Sequence, residues 1–144
     1  MLFKNILVPY DGSDHSKHAF KVALDMAKKY NSKITMVSVL SVSYTGHWYI
    51  DSRVEAQIIR DAEKGIRKDF VKFDSIAKKA KVSFHSKIVE GISAAKTLVS
   101  FAKSKKNDLI IMGAHGRTGW DKLILGSVTD GVIHRVRCPV LIVR

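Results

Sequence analysis

The sequence predicts an α/β fold: an open, doubly wound, five-stranded parallel sheet with helices on both faces. Three observations predict it. Short apolar runs alternate with segments of helical period, in the order β-α-β-α-β-α-β-loop-α-β. Two of the runs, "DLIIMGA" and "PVLIV", are almost wholly apolar, as strands covered on both faces are. No linker, internal repeat or low-complexity stretch interrupts the order, so residues 1–144 are expected to form one domain, long enough to bury a core without disulfides or metal.

The elements follow in turn. "FKNILVP" (3–9) ends in a turn signal and reads as the first strand. The next helix places Ala19, Phe20, Ala23, Leu24, Ala27 and Tyr30 on one side, with Ser13 or Asp14 as cap. "KITMVSVL" (33–40) is rich in β-branched residues, as strands are. The stretch 41–53 has no period and reads as a loop, whose Trp48 and Tyr49 either cover a ligand or partner or pack on their own domain. Val54 to Ala80 is helical, 82–91 alternates like a strand, and 93–106 is helical behind a Ser93 cap. A final helix is expected from Ser127 to about Arg137, before a strand at 139–143. Gly65 and Gly91 are expected to have backbone roles.

The formal net charge is +12, and such a chain attracts polyanions non-specifically. Its lysines bunch at 28–29, 78–81 and 103–106, each at a predicted helix C-terminus, where cations complement the dipole. That pattern suits a solvated surface better than a nucleic-acid patch, and no base-reading module is present. Cys138 is the only cysteine, so an intrachain disulfide is excluded, in keeping with a reducing, cytoplasmic setting. No apolar run is long enough to cross a bilayer, and the N-terminus lacks a signal-peptide cleavage pattern.

Function is concentrated in "GAHGRTGWDKLILGS" (113–127). Four of the nine glycines of the chain fall in this one loop. In open α/β sheets ligands sit beyond the carboxyl ends of the strands, where strand order reverses, and both this loop and "PYDGS" follow strands. Glycines there let peptide N–H groups approach an anion, and Gly126-Ser127 opens a helix whose first N–H groups favour phosphate. Ser127 and Thr129 add hydroxyl donors. A plainer alternative also fits: glycines shaping a surface turn, with Ser127 and Asp130 as a capping box. Neither a P-loop nor a G-x-G-x-x-G turn occurs.

Gly113-x-x-Gly116, nine residues, then Gly126-Ser127 resembles the ATP-binding signature of the universal stress protein family. "ILVPYDGSDHSKHA" resembles that family's opening, and "DLIIMGAHGRTG" with "GSVTDGVIHRVRCPVLIV" its closing half. The resemblance implies strand order 3-2-1-4-5, ATP with Mg²⁺ as ligand, and a homodimer. It implies Pro9 and Asp11 on the nucleoside side, Asp11 near the ribose, and the Val39 backbone against the adenine. Met112 and Gly113 would flank base and sugar. His115, Gly116, Gly126, Ser127, Val128 and Thr129 would lie at the phosphates.

No nucleophile, base and orienter occur as a set, so binding with slow or no hydrolysis is expected. Such a nucleotide-responsive module implies a protein partner that the sequence does not identify. Two other classes stay open: a true ATPase or nucleotidyl-transfer enzyme, and a basic interaction protein with an empty loop. His15 and His18, three apart near Asp11 and Asp14, lack a third His or a Cys and read as exposed helix residues rather than a metal pair. Arg117 reads as a loop-tip residue, and Cys138 as buried and inert. The apolar last strand would be an exposed edge in a monomer, which predicts antiparallel pairing with a two-fold mate.

Overall fold

The computed structural model describes residues 2–41, 52–115 and 125–144. Their elements are β1 (Asn5–Pro9), α1 (Asp14–Tyr30), β2 (Lys33–Ser41), α2 (Ser52–Lys79), β3 (Ser83–Gly91), α3 (Ala94–Ser104), β4 (Leu109–Gly113), α4 (Ser127–Ile133) and β5 (Val140–Val143). The strands pair in the order β3-β2-β1-β4-β5, every pair parallel. The predicted fold class and strand order are therefore the observed ones.

Strand residues alternate between two faces, and each face has its own core. Ile6, Val8, Ile34, Met36, Leu109 and Ile111 pack with Phe20 of α1 and with Ile66, Phe70 and Phe73 of α2. Leu7, Val37, Ile110 and Met112 pack with Leu98 and Phe101 of α3 and Val132 of α4. β4 is buried along its whole length, as its unbroken apolar run requires.

Local chemistry sets the ends of the elements. Ser13 caps α1 by accepting the Ser16 N–H, and Ser93 caps α3 by accepting that of Lys96. Asn31 closes α1 in the left-handed region at φ 54°, its N–H donating to Ala27 O. Lys28 and Lys29, Lys78 and Lys79, and Lys103 occupy last turns, so the basic bunches do sit at helix ends. At the other end of the sheet the Asp108 carboxylate accepts the N–H groups of Lys4 and Asn5, each at 2.9 Å, and pins the start of β1 beside β4.

Four expectations change. β1 begins at Asn5 rather than Phe3, because Phe3 has φ 65° and breaks the extended run. α4 ends at Ile133 rather than about Arg137. Its last turn tightens, with Arg135 N–H donating to Val132 O, and Pro139 disfavours helical backbone at Cys138. Gly65 has open space where a Cβ would stand, so no close approach requires glycine there, whereas a Cβ at Gly91 would fall 2.1 Å from Thr97 Oγ1. Cys138 is half-buried rather than buried, and burial pushes its thiol pKa up, which keeps it in the unreactive protonated form.

Candidate functional site

Strand order reverses between β1 and β4. β1 leads out through α1 to β2, and β4 leads through α4 to β5 on the opposite side. Their carboxyl ends therefore diverge around a crevice. A cavity of about 280 Å³ lies there. Its lining includes Pro9, Asp11, Val39, Met112, Gly113, His115, Gly126, Ser127, Val128 and Thr129, all of them residues singled out in the sequence. Gly116, Arg117, Gly119, Trp48 and Tyr49 lie outside the described residues.

Each wall has a local cause. After Pro9 the chain leaves the sheet through a turn in which Asp11 Oδ1 accepts the Ser13 N–H at 2.9 Å and Gly12 takes φ 85°. Asp11 is thus both a turn residue and a cavity residue, while the helix cap is Ser13. On the other wall, the Gly126 N–H donates to Ala114 O at 2.9 Å, which draws together the two ends of the loop between β4 and α4. Thr129 Oγ1 donates to Gly113 O at 2.8 Å, fixing the first turn of α4 against the tip of β4.

That last bond corrects one expectation. Thr129 is only 3% exposed and its hydroxyl proton is already used, so it serves the wall and is not a donor to a ligand. A second correction concerns the capping box. Gly126, not Ser127, is the N-cap of α4, and as a glycine it supplies no side-chain cap to the N-terminus of that helix. Ser127 stands one position inside the helix, exposed at the cavity rim. The first intrahelical bond of α4 runs from Asp130 N–H to Gly126 O, so the N–H groups of Ser127, Val128 and Thr129 precede the helical ladder.

Gly113 is required by packing. A Cβ there would stand 2.7 Å from His15 Cβ and 3.0 Å from the His15 carbonyl carbon. The close approach also places the His15 ring edge-to-face with His115, centroids 5.3 Å apart. His15 is therefore half-buried with a buried Nδ1, not an exposed helix residue, and it lies beside His115 rather than acting with His18. His18 remains exposed, its Nδ1 2.8 Å from Arg144 O.

The cavity has two chemical halves. Val37, Val39, Ala94, Leu98 and Met112 make an apolar slot, whereas Asp11, Ser13, His115 and Ser127 are polar. Among the described lining residues there is no lysine or arginine, so an anion there would meet N–H groups and hydroxyls rather than cations. Sequence inspection missed Tyr10, Ser13, Ser16, Val37, Ala94 and Leu98 as lining residues. One of these had a usable signal: Val37 is two positions before Val39 on one strand. Tyr10 is buried at 2%, and its hydroxyl donates to Asp69 Oδ2 of α2 at 2.7 Å, a long-range partner that no local pattern announces.

A five-stranded parallel sheet wound on both faces, with a slot at its reversal point, defines an open α/β protein of the ligand-crevice type. Within that class the chain belongs to the universal stress protein family, whose family model matches residues 2–144. A universal stress protein of Methanocaldococcus jannaschii is 36% identical over 149 aligned positions, covering 99% of this chain and 83% of the relative. The solved structure of the universal stress protein UspA from Lactobacillus plantarum superposes with a TM-score of 0.88 at 24% identity, covering 100% of this chain and 99% of that one. A universal stress protein from Archaeoglobus fulgidus, solved in complex with dAMP, superposes with a TM-score of 0.70 at 18% identity, covering 100% of each chain.

The glycine packing can be checked by urea unfolding. Gly113→Ala should cost about 1–3 kcal/mol, because neither the His15 backbone nor its Cβ can give way freely. Gly65→Ala, inside α2 with nothing near the added methyl, should instead stabilise by about 0.5–1 kcal/mol. Equal effects at both positions would mean that the β4–α1 approach is not tight.

Proposed function

We propose that the cavity binds an adenine nucleotide, with Mg-ATP as the physiological form, and that the protein is a nucleotide-responsive regulatory module of the cytoplasm with slow or no hydrolysis. One observation carries the choice of base. β1 pairs with β2 only as far as Pro9 opposite Val37, where Tyr10 N–H donates to Val37 O. Backbone groups two residues apart on a strand point the same way. The N–H and C=O of Val39 therefore point to the side of β1, beyond the place where β1 turns off. A donor beside an acceptor matches the N1 acceptor and N6 amino donor of adenine, whereas guanine presents the reverse order, O6 acceptor and N1–H donor, and would have to enter in a different pose. The apolar slot formed by Val37, Val39, Leu98 and Met112 suits the faces of the ring.

The remaining residues suit the rest of the nucleotide. Pro9 and Asp11 border the slot where the sugar would follow, with Met112 and Gly113 across from them. His115, Gly126, Ser127, Val128 and Thr129 face the phosphate end, Thr129 through its backbone. Mg²⁺ would arrive on the phosphates, as it commonly does. The relative solved in complex with dAMP supports an adenine nucleotide as the ligand. Asp11 and His115 are the cavity side chains that could move a proton, and the absence from the sequence of a nucleophile, base and orienter as a set supports binding over turnover.

We also propose a homodimer through β5. This four-residue strand pairs with β4 on one side, and Leu141 on it and Ile133 on α4 are each 38% exposed. Antiparallel pairing with a two-fold mate would cover that edge. Sedimentation at micromolar concentration should show a dimer that Leu141→Lys dissociates, and a wild-type monomer contradicts the proposal.

The nucleotide is tested by calorimetric titration of the stripped protein with Mg-ATP. Gly126 has φ −61° and ψ 153°, which any residue can adopt, so Gly126→Val with Ser127→Ala fills the rim without straining the backbone. Affinity should fall at least about tenfold in that double variant, roughly 1.4 kcal/mol. Unchanged affinity would move the phosphates elsewhere. Strong, salt-sensitive polyanion binding without ATP binding would instead favour the basic-surface alternative, and turnover well above background that is lost in Asp11→Ala would favour an enzyme.

A further inference from the structure

We propose that the end of the sheet opposite the cavity is a docking surface for an anionic lipid bilayer. All five strands start at that end, and they start nearly level: Asn5 stands opposite Lys33, Lys33 opposite Ser83, Ile6 opposite Leu109 and Ile110 opposite Val140. Each crossover helix must run back before the next parallel strand begins, so α1, α2 and α3 finish there. Lys28 and Lys29 close α1, and Lys78 and Lys79 close α2 with Lys81 just beyond. Lys103 closes α3, followed by Lys105 and Lys106. α1 and α2 pack on one face of the sheet and α3 on the other, so exposed cations flank this end from both sides. Three carboxylates share it among the described residues. Asp108 is held by the N–H groups of Lys4 and Asn5, Asp74 pairs with Lys78 at 2.8 Å, and Asp25 lies one turn back in α1.

Helix dipoles account for only part of this charge. Lys33 and Arg137, both exposed, belong to no helix. Lys81 and Lys106 stand in the left-handed region, at φ 59° and φ 53°, where α1 has Asn31 and where glycine or asparagine is the usual residue. The backbone requires that conformation, since the next N–H in each case donates five residues back, Val82 to Ala77 O and Asn107 to Ala102 O. Lysine is strained there, and what it adds over asparagine is charge. The kind of surface follows from the residues. All of these cations except Arg137 are lysines, point charges rather than forks that clamp single phosphates. They lie on both sides of a level end, so a broad anionic surface meets them together, whereas a nucleic-acid strand would meet one strip of them. The same end exposes apolar groups. Leu2 is 66% exposed and Tyr30 40%, the Tyr30 ring standing edge-on to Phe3 with Lys29 Nζ over it. Leucine and tyrosine among lysines suit a bilayer interface, with tyrosine at the level of the headgroups. No helix among the described residues is long and apolar enough to cross a membrane, so the attachment is peripheral. The nine residues of β2 span about 30 Å, which leaves the cavity facing away from the bilayer.

The test is co-sedimentation of the full, nucleotide-free chain with vesicles of phosphatidylcholine and phosphatidylserine in a three-to-one mixture, beside vesicles of phosphatidylcholine alone. The chain should pellet with the mixed vesicles only, and less as salt is raised. Lys81→Gly with Lys106→Gly should weaken binding by about twentyfold, since each lysine near an anionic surface contributes about fivefold. That variant should unfold no earlier than the wild type on heating, because glycine adopts positive φ without strain. Lys17→Gln with Lys96→Gln removes the same charge from exposed first turns of α1 and α3 at the cavity end, and should change binding by less than about twofold. No binding to the mixed vesicles at low salt overturns the proposal. Equal weakening by the two double variants also overturns it, since net charge rather than one face would then be at work. So does binding of duplex DNA through Lys81 and Lys106 with none to the vesicles. The experiment contains no nucleotide, so its failure is separate from failure of the ATP titration.

Discussion

The cavity exists because β1 is short. Its pairing with β2 ends at Pro9, while β2 continues to Ser41 beside β3. Past that point the β1-facing edge of β2 has no strand beside it among the described residues. The turn at Asp11, Gly12 and Ser13 carries the chain away into α1. On the far side β4 ends at Gly113 and its chain also leaves. Two neighbouring strands that part in opposite directions make a slot with an apolar floor and polar rims, and it is this slot that is proposed to take the nucleotide.

The walls hold position through a few buried contacts. Gly113 meets His15 on one side and accepts the Thr129 hydroxyl proton on its carbonyl on the other. One residue at the tip of β4 thus sets the distance to both α1 and α4. The absence of a side chain there is as constraining as a large side chain would be in a core. Tyr10 acts similarly behind the slot. Its ring packs between Phe70 and Phe73, and its hydroxyl bonds Asp69, so the turn after β1 is anchored to α2.

Much of this was legible in the sequence. Period-two and period-3.6 patterns separate the elements because each strand and helix must bury one side. The Ser13 and Ser93 caps and the lysine-rich helix ends could be located because they are local chemistry. The strand order was available only through the family resemblance, since alternation alone does not order a parallel sheet. What escaped depends on contacts between distant segments. Nothing near Thr129 tells that its hydroxyl faces Gly113 O, and Ser127 looks like a cap until Gly126 is seen to hold that place. His15 was weighed against His18, its neighbour in sequence, when its ring partner is His115.

The central claim is that the freed edge of β2 at Val39 and the first turn of α4 face the two ends of one adenine nucleotide. The most direct measurement is amide chemical-shift mapping on titration with Mg-ATP, with Mg-GTP in parallel. The account predicts that the Val39, Ser127, Val128 and Thr129 amides shift together at one saturating concentration of ATP, and that Val39 responds far less to GTP. Shifts confined to the lysine-rich helix ends, or a Val39 amide indifferent to ATP while the protein binds it, would contradict the account.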